Sequence, residues 1–185
     1  MRHPKEVIDY FCTDCRLHLG RKNVVWGNLN YLASLVFIGE GPGRLEDIVG
    51  LAFSGDSGQL LTKILYALKI ALNDCLFLNL IKCKPPNNRN PKKDEIEACD
   101  KWLRKQFLCC PNIKVIVALG VVPWKGLTGI EMSVTKYHGK VIKEGKYRIL
   151  YTYHPSYLLR NQDPEKKKEF MRDIIKAAKL AGIKR

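Results

Sequence analysis

The sequence contains no run of about 18 apolar residues, the length a helix needs to cross a bilayer. Its first residues, Met1 to Glu6, do not lead into an apolar segment. Neither a membrane anchor nor a secretory signal is therefore expected, and a cytoplasmic location is. Acidic residues are scarce: 18 Asp plus Glu face 32 Lys plus Arg, a formal net charge of +14. That imbalance favours a polyanionic partner and fast, salt-sensitive association. Two phosphate-binding signatures are missing as well. No G-K-[ST] follows the glycine-rich turn, which excludes a P-loop, and Arg44 breaks the dinucleotide pattern G-x-G-x-x-G. Nor is the cysteine count even. Seven Cys in 185 residues fit thiolate ligation in a reducing compartment better than a disulfide framework. A hydrophobic content of 46% is enough to bury a core, and residues 1–185 read as one domain.

The apolar residues that are present come in alternating strand and helix patterns. Residues 6–11 read as a short helix entering the first cysteine pair. Ser34 to Ile38 is a buried strand that stops at the turn Gly39-Glu40-Gly41-Pro42-Gly43. From Gly58 onward Leu60, Leu61, Ile64, Leu65 and Leu68 recur at helical spacing, with Asp56 or Ser57 as the expected cap. A short strand at Leu76 to Leu78 follows, then an irregular Pro- and Asn-rich tract to Lys93. Asp94 and Glu97 have capping-box spacing and open a helix carrying Ile96, Trp102, Leu103 and Phe107. Lys114 to Gly120 is the clearest central strand, and its continuous apolar run argues for a parallel sheet covered on both faces. Tyr147 to Tyr153 is another strand, delivering His154 at its end, and a last helix spans about 165–181. The order implies an α/β fold, a three-layer α/β/α sandwich around a mostly parallel sheet. In such sheets ligands sit beyond the carboxyl ends of the strands, where the glycine-rich turn, Asn79 and His154 would all fall.

Four cysteines stand apart from the rest. Cys12 and Cys15 form a C-x2-C pair, while Cys83 lies in the Pro-rich loop and Cys99 in the following helix. Only a folded body brings them together, and spacing alone leaves zinc, a cubane iron–sulfur cluster and no metal all open. Cys75, Cys109 and Cys110 border apolar residues and read as packed thiols. Phe53, among small residues, serves as core or as a stacking surface for a flat base. Asn79 closes a strand as an ordinary loop residue or as a side-chain amide that reads a base edge. His154 can donate a hydrogen bond to a leaving group that gains negative charge. His3, His18 and His138 have no comparable context. Lys82, Lys84 and Arg89, with Arg160 after the histidine, are candidate DNA phosphate contacts.

Together these segments resemble the iron–sulfur, or family-four, uracil-DNA glycosylases. The likeness covers nearly the whole chain: Cys12-x2-Cys15 with Arg21 and Gly27, the turn from Gly39 to Gly43 followed by Glu46 and Asp47, and Gly50-x-x-Phe53-x-Gly55-x-x-Gly58. It continues through Asn79-x-x-Lys82-Cys83-x-Pro85-Pro86, Cys99, Ala118 to Gly120, and His154 to Arg160. The resemblance implies a [4Fe-4S] cluster on Cys12, Cys15, Cys83 and Cys99, structural rather than catalytic. It also implies a monomer that excises uracil from single- and double-stranded DNA. His154, Glu40, Gly41 and Glu46 become the catalytic positions, and Gly41, Glu46, Phe53, Asn79 and His154 the base pocket. Glycine at 41 stands where other branches carry a water-orienting aspartate, which implies a largely dissociative reaction without a strong general base. Ala52 and Ser54 depart from the family, which often has Pro and Val there. The alternatives are a glycosylase for hypoxanthine or xanthine, and a non-catalytic iron–sulfur module that binds damaged DNA.

Overall fold

The computed structural model describes residues 8–28, 30, 32–161 and 163–184. The apolar runs become β1 (Leu35–Gly39), β2 (Cys75–Asn79) and β3 (Val115–Leu119), and every residue in these three strands is buried. Two further strands, β4 (Val141–Glu144) and β5 (Tyr147–Thr152), complete a sheet of order β2-β1-β3-β5-β4 among the described residues. β1 pairs in parallel with β2 and β3, and β3 with β5, while β4 lies antiparallel at the edge. Four parallel strands thus end at one edge, and that edge carries Gly39, Asn79, Leu119 and Thr152.

Parallel strands need crossover segments, and helices supply them. In chain order these are α1 (Arg44–Val49), α2 (Asp56–Ala67), α3 (Lys93–Cys109), α4 (Val121–Thr128), α5 (Val134–Tyr137), α6 (Pro155–Arg160) and α7 (Pro164–Ala181). Alternate strand residues go to opposite faces. Leu35, Phe37, Val115 and Val117 pack with Leu61, Ile64 and Leu65 of α2 and with Phe170, Ile174 and Ala178 of α7. Val36, Ile38, Leu76 and Ile116 pack on the other face with Leu103 of α3 and Trp124 of α4. The expected α/β/α sandwich with a mostly parallel sheet is what forms. A smaller apolar cluster of Leu17, Val24, Trp26, Ile81 and Trp102 joins the N-terminal segment to α3.

Several local expectations need correction. Residues 8–11 form a turn rather than a helix, and residues 6 and 7, like His3, lie outside the described residues. The cap of α2 is Gly55, with Asp56 already helical, because the Glu46 carboxylate takes the Gly55 N–H at 3.0 Å. Helix α3 starts before Asp94: Glu95 Oε2 accepts the Lys92 backbone N–H at 2.8 Å, so the reciprocal acid is Glu95 and not Glu97. Strand β4, a four-residue edge strand with two exposed positions, has no counterpart among the strands expected from the sequence.

Candidate active site

The edge where the four parallel strands end opens into a cavity of about 730 Å³, a size suited to a small organic ligand. Gly41, Glu46, Phe53, Asn79, His154 and Arg160 all line it. Each reaches it from a different element. Gly41 comes from the turn after β1, Glu46 from α1, Phe53 from the loop before α2, Asn79 from the end of β2, and His154 from the junction of β5 and α6. Glu40 lines an adjoining cavity that shares Gly41, His154 and Arg160 with the first.

Glycines make the approach possible. A Cβ at Gly39 would collide with Asn79 Oδ1 and stand 3.2 Å from Phe53 Cζ, so the amide and the aromatic ring flank one bare Cα. At Gly41 a Cβ would stand 2.7 Å from Ile81 Cγ1. A side chain there, aspartate included, has no room until Ile81 moves. Gly58 lies so close to the Phe53 carbonyl that a Cβ would sit inside it, and Phe53 itself holds a left-handed φ of 57°. The ring's position is therefore over-determined by its loop, at a cost of roughly 1–3 kcal/mol in backbone strain.

His154 is the N-cap of α6. Its Nδ1 accepts the Ser156 backbone N–H at 3.1 Å and lies 2.7 Å from Ser156 Oγ. Burial, reinforced by the Arg160 charge, pushes the imidazole pKa down to about 4. The ring is then neutral near pH 7, and with Nδ1 accepting, its proton sits on Nε2 as a donor. Gly120, at φ 96°, clears the space behind it: a Cβ there would press within 3.3 Å of His154 Cβ. Ser156 was not among the expected site residues, although its position two residues after a candidate histidine at a helix start is a readable signal. Ser57 and Asn88, which line both cavities, were also missed. The half-buried Glu40 carboxyl has its pKa raised by desolvation. Asp47 faces away from the cavity and accepts the backbone N–H groups of Lys22 and Asn23 at 2.9 and 3.3 Å.

The basic residues divide. Arg160 is exposed at the mouth of both cavities. Arg89 lines the second cavity, with its guanidinium bonded to the buried Glu95 carboxylate at 2.8 and 2.6 Å. Lys84 is half-buried. Lys82 departs most from a phosphate-contacting role: it is 1% exposed, and its ammonium donates to the Asn79 carbonyl at 2.7 Å.

The four distant cysteines do converge. Cys12, Cys15, Cys83 and Cys99 line one small cavity together with Trp26, Lys82 and Trp102. Arg21 fastens this region, donating to the Cys12 carbonyl at 2.7 Å and to Cys83 Sγ at 3.4 Å. Asp14 accepts from the Cys12 thiol at 3.0 Å and from Trp102 Nε1 at 2.8 Å. None of the seven cysteines is joined in a disulfide. Among the described residues, no three His, Cys, Asp or Glu side chains stand close enough together to hold a single metal ion.

The model of the Uracil DNA glycosylase superfamily matches residues 26–179, and the chain belongs to that superfamily. The type-4 uracil-DNA glycosylase of Thermotoga maritima is 44% identical over 168 residues, covering 90% of this chain and 87% of that protein. The type-4 uracil-DNA glycosylase of Archaeoglobus fulgidus is 35% identical over 182 residues, 94% of this chain and 89% of that protein. A type-5 uracil-DNA glycosylase of Pyrobaculum aerophilum is 32% identical over 154 residues, 74% of this chain and 66% of that protein. The family-four likeness drawn from the motifs agrees with the two type-4 relatives.

Proposed function

We propose that the chain is a monofunctional uracil-DNA glycosylase that hydrolyses the N-glycosidic bond of uracil in single- and double-stranded DNA, leaving an abasic site. The observation that carries this reading is one cavity bounded by an aromatic ring, a buried side-chain amide and a neutral histidine with a free Nε2 donor. An extruded uracil stacks on Phe53 while the Asn79 amide pairs with its polar edge. His154 Nε2–H donates to the uracil oxygen that gains charge as the bond to C1′ stretches. A neutral donor gains most strength when the anion develops, which lowers the barrier rather than binding the ground state. The Glu46 carboxylate, braced by the Gly55 N–H, shapes the wall near the base. Gly41 leaves no side chain to act as a general base, so positioned water attacks an oxocarbenium-like sugar, with Glu40 at the adjoining cavity. No lysine lines either cavity among the described residues, which favours hydrolysis over a Schiff-base lyase reaction. In this reading the chain acts as a monomer, and the +14 charge suits a DNA partner.

The four-cysteine site fits a [4Fe-4S] cluster on its donor chemistry. A cubane binds each thiolate at a different iron, so its ligands stand farther apart than those of a single zinc. Trp26 lines the same cavity, and its indole N–H is buried with no acceptor, which a cluster sulfide would provide. When bound, such a cluster supplies a structural crosslink, since base hydrolysis transfers no electrons.

The test is a single-turnover panel on oligonucleotides carrying uracil, hypoxanthine, xanthine or a thymine mismatch, with iron analysis of the same sample. Free uracil from both single and double strands, without a borohydride-trapped adduct, is the expected result. Faster release of a purine, or binding without base release at excess enzyme, would overturn the reading.

A further inference from the structure

A lysine ammonium taken out of water needs compensation, and Lys82 is 1% exposed with its Nζ bonded at 2.7 Å to one acceptor, the main-chain oxygen of Asn79. The residue stands between two sites. It lines the cavity that Cys12, Cys15, Cys83 and Cys99 surround, and it grips the residue that ends β2 in the base cavity. The backbone around it is fixed on both sides. Leu80 N donates to Gly39 O at 3.0 Å and Ile81 N to Glu40 O at 3.2 Å, while Val25 N donates to Lys82 O at 2.8 Å. Asn79 is 5% exposed, and its amide rests on the bare Cα of Gly39. Holding its carbonyl fixes ψ at Asn79 and with it the direction of the Cα–Cβ bond that carries the amide.

We propose that Lys82 is a positioning residue that ties Asn79 to the wall of the four-cysteine site, so that order at the cysteines is passed to the base-reading amide. This rests on the reading of Asn79 given above. A short charge-assisted bond is roughly twice as strong as a neutral one, and this one joins a residue lining the four-cysteine cavity to the residue that ends β2 in the base cavity. Without it the Asn79 carbonyl is left buried and unpaired, and the amide loses its fixed orientation.

The test uses the protein with its native iron content. Lys82→Met keeps length without a donor, Lys82→Gln restores a neutral donor, and both are compared with Asn79→Ala and with the Lys82→Met/Asn79→Ala double variant. Three quantities are read: iron per chain with the visible absorption spectrum, the single-turnover rate on uracil DNA, and affinity for a duplex carrying 2′-fluoro-deoxyuridine. Lys82→Met is expected to keep its iron and spectrum, to lose about tenfold in rate, and to bind the fluorinated duplex more weakly. Lys82→Gln recovers part of the loss. In the Asn79→Ala background, Lys82→Met should change the rate by less than about twofold. An unchanged rate, a loss that adds fully to that of Asn79→Ala, or loss of iron or fold in both Lys82 variants would each overturn the proposal. Absence of uracil release by the unmodified protein is a separate failure, that of the glycosylase reading itself.

Discussion

At the scale of single residues, the proposed chemistry turns on which proton the imidazole of His154 keeps. Ser156 fixes Nδ1 as an acceptor, and burial with the Arg160 charge pushes the pKa down to about 4, so Nε2–H is a donor throughout the neutral range. Truncation by His154→Ala is expected to lower single-turnover excision ~10²–10³-fold while leaving DNA affinity nearly intact. Equal loss of both would assign the histidine to folding or backbone binding. The pH dependence has a definite sign. The ring is neutral in both folded and unfolded chains above its ordinary value near 6.5, and below that only the unfolded chain takes up a proton until about pH 4. Its contribution to stability is therefore present above pH 6.5 and is lost as pH falls through that window. Denaturant titrations of the parent and His154→Ala from pH 4 to 8 should converge toward low pH; a constant gap would contradict the depressed pKa. His154 and Asn79 were legible as candidates because each follows a strong strand signal. The role of Lys82 was not: in a lysine-rich loop it looks like a phosphate contact, and only burial shows otherwise.

Between residues and the whole lies the segment that joins β1, α1 and α2. Its glycines are contact points. Gly58 meets the Phe53 main chain, Gly39 meets Asn79 and Phe53, and a Cβ at Gly55 would stand 3.0 Å from Glu46 Oε1. Gly58→Ala must displace the Phe53 loop, so the expected cost is ~1–3 kcal/mol in denaturant unfolding with a larger proportional loss in excision than in stability. A variant of parental stability and rate would show that the loop has slack there. Helix boundaries in this segment shifted from the sequence expectation for a physical reason. Local capping rules point to Asp56 or Ser57, but a carboxylate from a different helix satisfies the Gly55 N–H and starts α2 one residue earlier. Strand β4 was illegible because a short, half-exposed edge strand carries no continuous apolar run.

On the level of the whole molecule, the N-terminal segment is bound to the sandwich by polar clamps rather than by the sheet. Arg21 reaches Cys12 and Cys83, Asp47 holds Lys22 and Asn23, and the satellite cluster around Trp26 and Trp102 closes the interface at a ring separation of 5.1 Å. A cluster shared by Cys12, Cys15, Cys83 and Cys99 would crosslink this segment to the middle of the chain. Removal of iron is expected to lower the melting temperature by ~5 °C or more, and to loosen the backbone around Arg16, Arg21 and Lys22 so that trypsin cleaves there before any site in the sheet. An unchanged melting temperature and cleavage pattern would rule out the structural role.

The amino-acid sequence determined the layered α/β architecture by itself, because continuous apolar strands and helical periodicity are local patterns that bury only one way. It also marked Phe53, Asn79, His154 and the four cysteines, since each sits at the end of such a pattern or in an unusual composition. The burial of Lys82, the engagement of Arg89 with Glu95, the tautomer of His154 and the convergence of the cysteines were decided by tertiary structure alone. Burial, electrostatic partners and hydrogen-bond direction depend on neighbours far away in the chain, and no local pattern encodes them.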